Sequence, residues 1–159
     1  MVGRNTIFEC QFCGALEGEA GAVNNVFMER EAERRGIDTE VYPLVQALEQ
    51  ISQFRVRKTS GGSLEDRIPP FVYFRIDPRS GGLRQLEHLL QSLEMSRNRT
   101  HRIWAVEAHF TSGELQFALR PRFMKQICDL EVEDIQEARE DLRLLADRLE
   151  RDRKLSWWS

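Results

Sequence analysis

Cysteine is scarce in this chain, with three in 159 residues, at positions 10, 13 and 128. An odd and low count excludes a disulfide-stapled secreted scaffold. Long apolar runs are missing too. No stretch approaches the ~20 residues that a membrane-spanning helix needs. The first twelve residues carry one base, Arg4, and only a scrap of apolar sequence, which does not read as a secretory leader. There is no repeat at solenoid spacing and no low-complexity tract. Strong net charge is also lacking. At −3, bulk charge does not make the chain a polyanion binder. Together these absences predict a cytoplasmic protein with no membrane contact.

What is present is ordinary globular composition, 41% hydrophobic and 31% charged. A chain of this length buries a sizeable core without staples. It reads as a single domain over residues 1–159, with the order of residues 1–20 left open. Thr6 to Cys10 could form a short strand. Ala22 to Arg35 is rich in good helix formers and is followed by Gly36, a natural C-terminal cap. A second helix, capped by Asp38 or Thr39, would bury Val41, Leu44, Val45, Leu48 and Ile51, with Pro43 in its first turn. The alternative starts that helix at Pro43, after a short strand over Thr39 to Tyr42. Phe54 to Arg57 alternates apolar and basic residues, as a half-buried strand does. Phe71 to Ile76 is a more apolar strand. Leu83 to Met95 is an amphipathic helix. Arg102 to Phe110 and Leu115 to Leu119 form a hairpin around Thr111-Ser112-Gly113-Glu114. The last helix, Val132 to Arg153, repeats Ile135, Ala138, Leu142, Leu145 and Leu149 at 3-4 spacing. Acids crowd its start and bases its end, which suits the helix dipole. This order predicts an α+β fold: a mixed or largely antiparallel sheet with about four helices packed mainly on one face.

Two thiols three residues apart, Cys10 and Cys13, make half of a zinc site. The other ligands would have to come from Cys128, His88, His101 or His109. Zinc is therefore the one cofactor for which the sequence makes room. His101 and His109 are eight residues apart, roughly 26 Å in an extended strand, and cannot share one metal. The glycine-bearing segment after Cys13 lacks the hydroxyls and the Lys-Ser/Thr ending of a phosphate loop. No nucleophile is paired with a histidine in a recognisable signature.

The same cysteine pair supports a redox reading, because a dithiol before a helix has its first thiolate stabilised. Over about half the chain the layout resembles the thioredoxin-like family. Thr6 to Cys10 would be its first strand, and Cys10 and Cys13 its dithiol. Ile68-Pro69 would match its cis-proline, and Leu83 to Leu93 its last helix. The resemblance implies thiol-disulfide exchange. Gly14, Gly18 and Gly21 depart from it, as do the strands after Thr100.

The last feature is distributed. Strand parity assigns Phe54, Val56, Val72, Phe74, Trp104, Val106, Phe117 and Leu119 to the core. The outward set is then Arg55, Arg57, Tyr73, Arg75, Glu107, His109, Gln116 and Arg120. Nearby turns add Lys58, Arg97, Arg99, Arg102 and Arg122. A basic face bearing an aromatic ring, on a protein acidic overall, suits an acidic protein segment or an RNA backbone. The sequence thus predicts a non-catalytic binding or regulatory module contacting its partner through Arg55, Arg57, Tyr73, Arg75, His109 and Arg120. Another protein is the favoured partner and RNA the second. The alternative is a thioredoxin-like or zinc-binding protein using Cys10 and Cys13. The final helix could also serve as a homodimer seam, and Trp157-Trp158 as a contact site or a cover for the sheet.

Overall fold

The computed structural model describes residues 17–158. Contacts divide the chain into two compact units, 1–39 and 40–159. The first carries α1 (Glu17–Arg35). Gly36, at φ +69°, closes it: its N–H donates to Glu33 C=O, and the Ile37 N–H donates to Ala32 C=O. That pair of bonds satisfies carbonyls the helix end would otherwise leave open. The helix begins earlier than the sequence predicts, so Gly18 and Gly21 lie inside it. Cys10 and Cys13, and the strand expected before them, lie outside the described residues.

The second unit contains α2 (Tyr42–Glu49), β1 (Phe54–Ser60), β2 (Phe71–Ile76), α3 (Gly82–Ser96), β3 (Trp104–Thr111), β4 (Glu114–Pro121) and α4 (Val132–Asp152). The strands form one antiparallel sheet in the order β1-β2-β4-β3. The fold is α+β. α2 packs on β1, α3 on β2 and β3, and α4 on α2 and α3. α2 starts at Tyr42 with Val41 as its N-cap, so neither Asp38 nor Thr39 holds that position.

Period-2 alternation decides which residues meet the helices. Phe54, Val72, Phe74, Trp104 and Leu119 are buried on the helix side. Phe54 stacks on Phe74 at 5.0 Å, and Phe74 on Phe117 at 5.9 Å. This aromatic row crosses three strands and fixes their register, since a one-residue slip would carry it to solvent. The stripe on α4, with Ile135, Ala138, Leu142, Leu145 and Leu149, is buried in the chain's own core. These side chains are consumed by α2 and α3 and are not available as a seam between two copies. Trp158 is buried and Trp157 half-buried. Both rings lie against His88 of α3, at 5.4 and 5.7 Å between centroids.

Buried carboxylates tie α4 to its surroundings. Asp141 accepts from the His101 N–H at 2.8 Å, the Arg102 N–H at 2.9 Å and Trp104 Nε1–H at 3.0 Å. Asp152 accepts from Ser92 Oγ at 2.8 Å and Arg148 Nε at 2.7 Å. Asp134 closes the capping box at the start of α4 and accepts from Lys125 and Arg102, each at 2.8 Å. The hydrogen bond from Lys125 is the chief reason its carboxyl sits below the usual 3.8, with the Glu131 N–H adding to it and burial opposing it. A depressed folded value stabilises above the unfolded value and is lost as pH falls through the folded one. Stability is therefore expected to decline on acidification below pH 3.8. Asp134→Asn should flatten that part of a pH series of urea midpoints.

The β3–β4 hairpin turns at Ser112 and Gly113, at φ +52° and +82°. Two positive values in succession describe a turn that matches strand twist and favours asparagine before glycine. Ser112→Asn is expected to raise stability by about 0.5 kcal/mol, read as a thermal midpoint.

Candidate functional site

The outward face of the sheet follows from the registers. Arg55 stands opposite Arg75. Tyr73 aligns with Ala118, which aligns with Glu107. Gln116 stands opposite His109, and Arg120 opposite Ala105. Apart from Arg57, which has no partner in the register, the outward set expected from parity is therefore brought together on one face.

One local irregularity adds to it. β1 bulges between Val56 and Lys58, so Lys58 rather than Arg57 is opposite Tyr73. A bulge shifts the alternation by one. Thr59, opposite Val72, thereby turns to the helix side, and Lys58 joins the outward face as a strand residue. Arg57 and Lys58 are both exposed.

The charges on this face are not equivalent. Arg75 pairs with Glu114 at 3.1 Å, and Arg120 with Glu107 at 3.2 Å. The Arg120 guanidinium also lies 5.9 Å from the Tyr73 ring, which meets the His109 ring in a T-shaped arrangement at 5.2 Å between centroids. Arg55 donates to the Ser52 and Phe54 carbonyls. Arg57 and Lys58 have no carboxylate partner among the described residues. The free positive charge is thus concentrated on β1. Two arginines directly opposite each other, Arg55 and Arg75, are a like-charge pair that weakens a sheet.

Several turn residues expected on this face are elsewhere. Arg102 is held by Asp134 and Glu137 of α4, on the helix side. Arg97, the C-cap of α3, pairs with Glu94 in the last turn of that helix. His101 lies before β3 and contacts Glu140 at 3.0 Å. His88 is buried, and its Nδ1 has no hydrogen-bond partner. Among the described residues no three His, Cys, Asp or Glu side chains are placed to hold a metal. No cis peptide occurs among them either, so Pro69 lacks the feature that the thioredoxin-like resemblance implies.

A cavity of about 480 Å³ opens at one end of the outward face. Phe71, Tyr73 and Arg120 form its floor, the loop Asp66–Pro70 one wall, and Phe123, Ile127, Cys128 and Leu130 the other. The first wall is tied by backbone hydrogen bonds. Ser63 and Ile68 exchange two backbone hydrogen bonds, at 2.8 and 2.9 Å. Gly62 turns there at φ +86°, and a Cβ would meet Ile68 O at 3.0 Å. Ile68 and Ile127 expose 44% and 67% of their surface at the mouth. An open apolar cavity with a few convergent polar groups is the usual form of a binding site. Parity alone did not reveal this cavity. Its walls come from segments 66–73 and 120–130, which meet because β2 pairs with β4.

No family model, curated protein or solved structure matches this chain. Among the described residues no helix is long and apolar enough to cross a membrane.

Proposed function

We propose that this protein is a non-catalytic binding module whose outward sheet face receives an acidic, partly apolar segment of another protein. The observation that carries this reading is the adjacency of two complementary features. Arg57 and Lys58 lack carboxylate partners among the described residues and offer charge, and the cavity over Phe71 and Tyr73 offers a seat for an apolar side chain. Buried apolar anchors supply most of the affinity at such surfaces. Flanking charge sets orientation and association rate. The like-charged Arg55–Arg75 pair gains when an acidic group is laid over it.

RNA fits less well. Tyr73 presents its ring to His109 and Arg120, rather than standing free for a base to stack on. The rest of the chain carries enough acid to bring the net charge to −3.

A random peptide library displayed on phage tests the reading. Selection on the intact protein is expected to enrich peptides in which Asp or Glu flanks Leu, Phe or Trp. Selection on the Arg57→Glu/Lys58→Glu double variant should lose that consensus. Enrichment of basic peptides, or the same consensus on both proteins, would sink the proposal. Homopolymer RNA bound with a steep salt dependence would favour the nucleic-acid alternative.

A further inference from the structure

An edge strand exposes a row of unpaired backbone groups, and most edges carry some device against pairing. β1 carries several: the bulge after Val56 and the bases Arg55, Arg57 and Lys58. β3, at the opposite edge, has no proline, lysine, arginine or bulge, and its ladder with β4 runs unbroken over Trp104–Thr111. The end of that strand exposes Phe110, with 74% of its surface open.

One bond fixes where the free backbone groups of β3 point. The Arg122 N–H donates to Ile103 C=O at 2.7 Å, one step beyond the Trp104–Pro121 pair. Bonded pairs alternate along an antiparallel ladder. Ala105, Glu107, His109 and Thr111 therefore bond to β4, while Trp104, Val106, Ala108 and Phe110 turn their N–H and C=O away from it. Pro121, which has no N–H to give, sits at a non-bonded position as this requires.

We propose that β3 pairs antiparallel with β3 of a second copy, about a two-fold axis at Ala108. Ala108 is one of the residues whose backbone groups are free, so the two copies exchange bonds across the axis. Val106 then stands opposite the partner's Phe110, again at a bonded position. Glu107 stands opposite the partner's His109 at the closer, non-bonded spacing, a carboxylate facing a ring that can donate to it. An axis one residue earlier would set Glu107 against itself, which destabilises. An axis at His109 would leave Trp104, Ala105 and Val106 without partners in β3. The Ala108 register pairs Ala105 through Thr111 of each copy, all of β3 but Trp104, and joins opposite chemistries. It also covers the exposed Phe110. Its helix-side neighbour is a groove of about 390 Å³, which is lined by Leu90, Leu93, Ile103 and Val106 at the β3 edge.

Sedimentation equilibrium on the full chain tests this. The weight-average mass is expected to rise with concentration from 18.6 kDa towards twice that value. Ala108→Pro removes a donor that β4 does not use, so the circular dichroism should persist while association weakens at least tenfold. His109→Glu sets acid against acid and should weaken association, and adding Glu107→Lys to it should restore the dimer. A protein that stays monomeric at every concentration overturns the proposal. So does a dimer that Ala108→Pro leaves intact, or a charge-swapped double variant that associates no better than His109→Glu.

Discussion

Asp141→Ala is expected to lower stability by about 3–4 kcal/mol, a large loss for the truncation of one side chain. The carboxylate is buried and accepts three N–H groups, from His101, Arg102 and Trp104. Removing it leaves those donors without a partner, and the indole N–H belongs to a ring that is only 5% exposed. An unmet buried donor costs about 1–3 kcal/mol. Asp141→Asn keeps one acceptor oxygen but points an amide at the remaining donors, so its loss should be smaller, about 1–2 kcal/mol. Urea unfolding followed by tryptophan fluorescence checks both. The midpoint should fall with the slope unchanged. A shift of less than about 1 kcal/mol in Asp141→Ala would show that these bonds do not hold α4 to the start of β3.

The second large effect concerns binding. For an acidic-apolar peptide taken from the selection, Arg57→Glu/Lys58→Glu is expected to weaken affinity about 30- to 100-fold, corresponding to roughly 1 kcal/mol or more for each reversed charge. Neither side chain has an ion-pair partner to lose among the described residues, so the fold should be unaffected. Ile127→Asp puts an acid at the cavity mouth and should weaken the same peptide about tenfold by removing an apolar contact and repelling the ligand. Cys128 gives an independent readout, because it is exposed and lines the cavity. Bound peptide should slow its alkylation, followed by mass spectrometry at that residue. Unchanged alkylation alongside tight binding would place the peptide elsewhere.

Much of the fold was legible because its elements obey simple periods. Phe71–Ile76 reads as an apolar strand and forms one with those bounds. The outward parity of Arg55, Arg75, His109 and Arg120 survives because their strands pair in regular antiparallel register. The bulge after Val56 was not legible, since neither Gly nor Pro marks it, and it moves Lys58 onto the face. Arg102 looked like a turn residue beside the face. Its position is decided by Asp134 and Glu137 in the first turns of α4, which are remote from it in sequence. Asp141 itself left a signal in the sequence. It lies three residues after Ala138 and four before Leu145, on the buried stripe of α4. An acid placed there needs donors, and Trp104 supplies one. The seam that the α4 stripe offered a second copy is filled by its own chain, because α2 and α3 reach the same side chains. The strand order β1-β2-β4-β3 places a crossover between two hairpin-like pairs, and local sequence does not specify which strand becomes the edge.

The most direct test is amide chemical-shift mapping of the isotope-labelled full chain, titrated with a selected acidic-apolar peptide. The expected result is a contiguous set of perturbed amides over Arg57, Lys58, Phe71, Tyr73, Arg120 and Ile127, with α3 and α4 unmoved. Perturbations confined to the helix side, or scattered without a centre on the cavity, would contradict the outward sheet face as the binding surface.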